Sequence, residues 1–448
     1  MENNLGPEVL IVHAVDTEGP LYESFDAKFE RLEELFNLKN IDRTKENLKK
    51  LQNGELKLDG KEQKIKEVLN GHLINYNETW DQIDLMLSKI MTDSFRFGLP
   101  DSYGNHWKFT WHCLDHIGYD YNPRSRDIGF HRIFDHYKAW IDRYKIYKDE
   151  IELHFHPMST YKDAHRCATF YFRNDNIYQI LSRRIIERKW FPTSFRAGFQ
   201  TERPDSHWFI EQWFPFDITN MAVDDPNHFE TTIDFKYGRS GNWRNAPSDW
   251  SIYNPHHDNY QVPGNCRRYI GRALNVMNRL ASINETEVEK AFSKAEKDQS
   301  PVLMGVTGHD FRNLITEVEY VRNIIKKVSK KYVNVKFRYC SVKEGFQKVI
   351  WGNKIIEPLN FEIKFNPKTK DDTDNIIIKC SKGKVFGPQP FLAIETRSRG
   401  FLYDNLDFID DNTWGYAFHA DTLPIDDVKN LSIASNDVFG NVCIKKII

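Results

Sequence analysis

Apolar and polar residues alternate in blocks along this chain, and the blocks read in turn as strands and helices. Glu8 to Val15 is apolar and β-branched, the pattern of a buried strand, and it ends in the polar turn Asp16-Thr17-Glu18-Gly19-Pro20. From Ala27 to about Ser94 the chain is charged and periodic. RTKENLKKLQNGE, KEQKIKEVLNGHL and WDQIDLMLSKIM have helical spacing, broken at Gly54, Gly60 and Gly71. This predicts a helical insert, residues 22–105, between the first two strands. HWKFTWHCL (106–114) is aromatic and predicts the second strand. Helical IGFHRIFDHYKAWIDRYKIY, a strand from Glu150 to His156, helical IYQILSRRIIERKW and a strand from Ser194 to Phe199 come next. The alternation continues through FDITNMAV, VEKAFSKAEK, PVLMGVTGHDF, VEYVRNIIKKVSKKY and VNVKFRYCS to about residue 350.

Strand and helix in regular alternation predict an α/β fold, a parallel (β/α) barrel with helices outside, over residues 1–350. In such folds the chemistry gathers at the carboxyl ends of the strands. Past Ile350 helical periodicity fades. Short strands (FEIKF, NIIIKC, PFLAIET, WGYAFHA, VCIKKI) alternate with turns and predict a C-terminal β-sandwich over residues 353–448.

Composition narrows the partners. A formal net charge of -2 with no long basic block speaks against nucleic acid. No apolar run reaches the roughly 20 residues of a bilayer span. The apolar segment near the start lacks a basic flank and reads as a strand, so a soluble, cytoplasmic protein is expected. Six scattered cysteines form no C-x-x-C pair and are expected to be reduced. Aromatic residues reach 14%, which suits stacking on sugar rings, although most such rings pack in cores.

Six polar residues fall at predicted strand ends: Asp16, Glu18, His154, His156, Arg196 and His309. Asp16 and Glu18 are two apart and share one side of an extended segment. His154 and His156 in ELHFHP have the same spacing, and two imidazoles with a carboxylate hold a metal while leaving a position open. Arg196, followed by Ala197 and Gly198, is suited to clamp a carboxylate. His309 in VTGHDF is suited to protonate a leaving group, with Asp310 expected to raise its proton affinity.

In order, VDTEG (15–19), ELHFHP (152–157), FRAGF (195–199) and VTGHDF (306–311) resemble the motifs of the polysaccharide deacetylase (NodB-homology, carbohydrate esterase family four-like) superfamily. The resemblance covers roughly residues 8–345 and is greatest to the divergent branch linked to O-antigen and capsule (lipopolysaccharide) biosynthesis. It implies a distorted (β/α) barrel and a metal-dependent hydrolase that removes an N-acetyl or other acyl group from an amino sugar. It also implies a divalent ion, zinc by preference, held by Glu18, His154 and His156. Asp16 would be the base, or the two acids exchanged, with His309 the acid and Arg196 the clamp. Phe199, Trp243 and Asp310 are expected to contact the glycan, with Trp250 and Asp217 as further walls. Three positions depart from the pattern: Thr17 separates the two acids, Met158 stands where a second histidine ligand is usual, and Ala197 replaces a proline. The competing readings are a non-catalytic glycan-binding protein on the same barrel and a two-carboxylate glycosidase, which would have no use for the histidine pair.

Overall fold

The computed structural model describes residues 6–164, 170–172, 175–225, 228, 241–368 and 373–448. Its first ten strands are β1 (Glu8–Thr17), β2 (Thr110–Cys113), β3 (Glu150–Phe155), β4 (Ser194–Ala197), β5 (Phe216–Asn220), β6 (Pro255–His256), β7 (Asn259–Pro263), β8 (Tyr269–Asn275), β9 (Pro301–His309) and β10 (Lys336–Cys340). Strands β1, β2, β3, β4, β5, β8 and β9 pair in that order, all parallel, and β9 closes back onto β1. The result is a closed seven-stranded parallel barrel. Strand β10 pairs with the first half of β1, below the point where β2 takes over.

Period-two alternation decides what the barrel contains. Leu10, Val12 and Ala14 of β1 share an apolar cluster with Phe216, Ile218, Ala273 and Leu303, on the inner face. Phe346, from the helix Val342–Trp351, joins that cluster and stacks on Phe216 at 4.8 Å. Val9, Ile11 and Val15 point the other way, into the cluster formed with the helices Trp80–Ile90 and Leu314–Val328. Carrying the inner parity of β1 two residues further brings Asp16 inward at the carboxyl end. The second strand is shorter than its aromatic pattern predicts, because only Thr110–Cys113 pair with both neighbours.

The insert divides into two parts. Helices Phe25–Phe36, Lys45–Asn53, Glu62–Val68 and Gly71–Ile74 bury a small core of their own around Phe29, Leu32, Leu51, Ile65 and Leu69. The helix Trp80–Ile90 packs on the barrel through Ile83, Leu87 and Ile90. Between them, the Asn77 side chain donates to the carbonyls of Asp310 (2.9 Å) and Arg312 (3.1 Å), and its backbone N–H donates to Phe311 O. That staple sets the insert over the carboxyl ends of the strands.

The C-terminal region carries β11 (Asn360–Asn366), β12 (Asn375–Lys382), β13 (Phe391–Thr396), β14 (Phe401–Asp404), β15 (Asp407–Asp410), β16 (Thr413–Ala417), β17 (Val428–Asn436) and β18 (Val442–Lys446). They form two antiparallel sheets, β11-β12-β16-β15 and β14-β13-β17-β18, sharing one apolar core of Ile376, Ile378, Trp414, Leu392, Ile394 and Ile433. The opposite face of the second sheet, through Phe391, Ala393 and Ala434, packs against the barrel cluster around Leu181 and Trp213. No helix is long and apolar enough to cross a membrane among the described residues. The five described cysteines are free; Cys167 lies outside the described residues.

Candidate metal centre

The six strand-end residues converge. Glu18 Oε1 lies 3.7 Å from His154 Nε2 and 3.6 Å from His156 Nε2, and the two ring nitrogens are 2.9 Å apart. A tetrahedral site with bonds of about 2.0–2.1 Å has edges of about 3.3 Å, and the three separations straddle that value. Two imidazole nitrogens at 2.9 Å must share something positive, a proton or a metal ion. His154 Nδ1 lies 2.9 Å from the carbonyl of Arg196; a proton there turns the Nε2 lone pair toward Glu18 and His156. The donor set therefore suits a divalent cation, and these three residues form the one group of potential ligands found among the described residues. Met158, in contrast, packs beside Gly118 and Asn176, so His156 completes the triad.

Each ligand is held from behind. Arg126 Nη2 pairs with Glu18 Oε2 at 2.8 Å, which leaves Oε1 facing the two histidine nitrogens. His116 Nε2 lies 3.1 Å from Glu18 O. Gly198 lets the chain pass the His156 ring: a Cβ there would stand 2.4 Å from its Cδ2. The next residue, Phe199, takes φ 52°, an uncommon conformation for a bulky side chain, and sets its half-exposed ring 5.2 Å from His156.

Asp16 is the second buried acid. Arg196 reaches it with Nε at 2.5 Å and Nη2 at 3.0 Å, and donates Nη1 to Ile218 O at 2.6 Å. Burial pushes the Asp16 carboxyl up, but Arg196 and then His154 outweigh it and hold it well below the usual carboxylate range. Glu18 follows the same logic, with burial opposed by Arg126 and His156. His154 is shifted up, since Asp16 and Glu18 overcome its burial.

His309 faces both acids across the site, with Nε2 3.8 Å from Asp16 Oδ2 and 3.9 Å from Glu18 Oε1. Burial and then Arg312 lower it to about 3, so the imidazole is neutral near pH 7. This corrects the expectation that Asp310 keeps it protonated. Asp310 is fully buried and turned away: its Oδ1 accepts from Glu18 N (2.9 Å), and its Oδ2 accepts from Gly19 N (2.8 Å) and Tyr137 Oη (3.0 Å). It supports the Glu18 backbone and does not line the cleft.

Three expected wall residues are likewise elsewhere. Trp243 is buried, its indole N–H on Gln200 O. Trp250 donates to Glu287 O and lies under Arg272. Asp217 alternates with inward Phe216 and Ile218, and it binds Arg268 on the outer side. The cleft, about 620 Å³, is instead walled by Phe199, Tyr121, Phe311 and the insert residues Leu35, Leu73 and Tyr76. Arg126, Arg312 and Tyr137 were not singled out by sequence. Arg126 sits in the irregular run NPRSR (122–126), which has neither periodicity nor a strand end to mark it. No family model, curated protein or solved structure matches this chain.

Proposed function

We propose that this protein is a metal-dependent hydrolase of the polysaccharide deacetylase type, removing an acyl group from the nitrogen of an amino sugar in a cell-surface glycan or its precursor. The observation that carries the reading is the meeting of Glu18, His154 and His156 at the carboxyl mouth of a parallel barrel, with the Asp16–Arg196 pair and His309 beside them. Glu18, His154 and His156 would hold a zinc ion, which when bound would lower the pKa of a water and stabilise charge on the acyl oxygen. Arg196 fixes the Asp16 carboxylate by two hydrogen bonds and keeps it ionised, ready to take the proton of the attacking water. His309 is neutral at rest and must gain a proton before it can give one. Asp16 Oδ2, 3.8 Å from His309 Nε2, is the source: the proton passes from water to Asp16, then to His309, then to the departing amine. Acyl acid and free amine result, with the proton count balanced. Exposed Phe199, with Tyr121 and the insert's Tyr76, suits a sugar face.

The test is metal content by mass spectrometry with acetate release from N-acetylglucosamine oligomers. We expect one zinc per chain in the wild type and none in His154→Ala or His156→Ala. His309→Ala should keep its zinc and lose about 10²–10⁴-fold in turnover. Zinc bound with no acyl release from any amino-sugar substrate would make the protein a glycan-binding one. No zinc in the wild type would refute the metal reading itself.

A further inference from the structure

Two neighbouring residues at the cleft stand in a backbone conformation that side chains avoid. Strand β4 ends at Ala197, and Gly198–Gln200 make one tight turn. Within it Phe199 takes φ 52°, ψ 26° and Gln200 takes φ 47°, both left-handed and neither a glycine. Each is strained by about as much as one or two ordinary hydrogen bonds return, so the turn persists only where its surroundings hold it. The strained turn fixes a position: the Phe199 ring, 40% exposed, stands 5.2 Å from His156, and Gln200 reaches the same cleft.

The hold comes from residues 241–243. The Gly241 N–H donates to Phe199 O at 3.1 Å and the Trp243 indole N–H to Gln200 O at 2.8 Å, one grip on each strained residue. Within the turn, the Thr201 N–H donates to Gly198 O (3.0 Å) and its hydroxyl to Phe199 O (3.2 Å). Only glycine fits at 241, since a Cβ there would stand 1.6 Å from Gln200 O. Trp243 is fully buried and is itself fixed. Its ring meets Tyr260 edge-on at 5.0 Å, the Tyr260 hydroxyl donates to Asn242 O (2.9 Å), and the Tyr253 hydroxyl donates to Tyr260 O (2.8 Å). The one polar atom of this buried indole thus holds the carbonyl of a strained cleft residue.

We infer that Trp243 is a positioning residue for substrate. Through its indole N–H, with Gly241 beside it, it keeps residues 199 and 200 left-handed and so holds the Phe199 ring beside the metal triad, as a platform for the apolar face of the amino sugar. That a sugar lies on the ring rests on the hydrolase reading; that Trp243 aims the ring does not. Phe199 would touch the sugar face and not the bond being cleaved. The contact is then alike in ground and transition states, and its loss shows in KM more than in kcat. An aromatic contact of this kind is worth about two- to tenfold in KM.

The experiment pairs crystal structures of the wild type and Trp243→Phe with the kinetics of acetate release from N-acetylglucosamine oligomers by Trp243→Phe, Phe199→Ala and the double variant. Trp243→Phe keeps a buried aromatic ring but has no N–H to donate. We expect its structure to show residues 199 and 200 relaxed out of the left-handed region and the Phe199 ring withdrawn from His156. Each single variant should raise KM about two- to tenfold with a smaller change in kcat. The double variant should be no worse than Phe199→Ala alone, because Trp243 acts through that ring. If Trp243→Phe does not fold, Gly241→Ala loosens the same turn from its other grip and carries both comparisons. Unchanged φ at residues 199 and 200 overturns the clamp. A KM left unchanged by Trp243→Phe, or raised by the same factor in the Phe199→Ala background, overturns the route through Phe199. Acetate release from no amino sugar refutes the hydrolase reading and with it the sugar platform, while the crystal structures still decide the clamp.

Discussion

Replacing Asp310 by Asn tests whether this residue supports the metal site from behind. The carboxylate accepts three hydrogen bonds, from Glu18 N, Gly19 N and Tyr137 Oη, at 2.8–3.0 Å and with no exposure. Burial pushes its pKa up to about 7, against the pull of the two amides. An asparagine has one acceptor oxygen. If that oxygen keeps Glu18 N, the new NH2 donates to Tyr137 Oη, whose hydroxyl can rotate, and meets the Gly19 N–H head-on. If the amide is flipped, the Glu18 N–H is the one left unmet. Either way one buried backbone donor is orphaned, at about 1–3 kcal/mol, and a bond assisted by charge becomes neutral. Loss of a buried charge whose pKa is raised offsets the cost of that orphaned donor in overall stability, so the change is read at the metal site and not in the urea midpoint. The same change frees the Glu18 backbone, and zinc should bind about 10–100-fold more weakly, as when other outer supports are removed. A folded variant that kept full zinc affinity would refute the support role.

Zinc should bind more tightly at pH 8 than at pH 6, by up to about tenfold per pH unit per proton released, because the ion displaces the proton held between His154 and His156; His154 is shifted up by its acids, so this proton persists toward neutral pH. Calorimetry in buffers of different ionisation enthalpy counts the protons. Glu152 is buried inside the barrel and raised to about 7, by burial first and then by Glu150. With a folded pKa above the unfolded one, its stabilisation is full below about pH 4.5 and is lost as pH rises through 7. Its Oε2 accepts from the amides of Thr193 and Ser194 and its Oε1 from Thr193 Oγ1, a pattern that a glutamine can keep. Glu152→Gln should therefore gain about 2–3 kcal/mol relative to wild type between pH 4.5 and 8, seen by urea unfolding at both pH values. Replacing residues 25–74 by a short linker should leave zinc binding intact while changing substrate preference, because those helices bury their own core yet wall the cleft; unchanged preference would show the insert to be a bystander.

Much of this site is local, and the sequence by itself determined that part. An apolar β-branched run that stops at a carboxylate or an imidazole places that group at a strand end, and period two turns residues 16, 18, 154 and 156 to one side. Parallel strands then bring their ends together, so the triad, Arg196 and His309 follow from pattern and topology alone. Only the tertiary structure decided what stands behind and across from them. Adjacent in sequence, His309 and Asp310 look like an acid and its charge partner. The strand end turns Asp310 into the wall, where the Glu18 and Gly19 amides claim it, and leaves His309 to Arg312. Trp243 is as aromatic as Phe199, but burial separates a core residue from a cleft residue, and burial depends on contacts far away in the chain. Arg126 is 108 positions from Glu18 and lies in a loop without periodicity, so nothing local announces the ion pair. The physical division is one of range. Backbone geometry and hydrophobic patterning act over a few residues, whereas the hydrogen bonds, charges and burial that set each group's protonation are supplied by whatever the fold brings alongside.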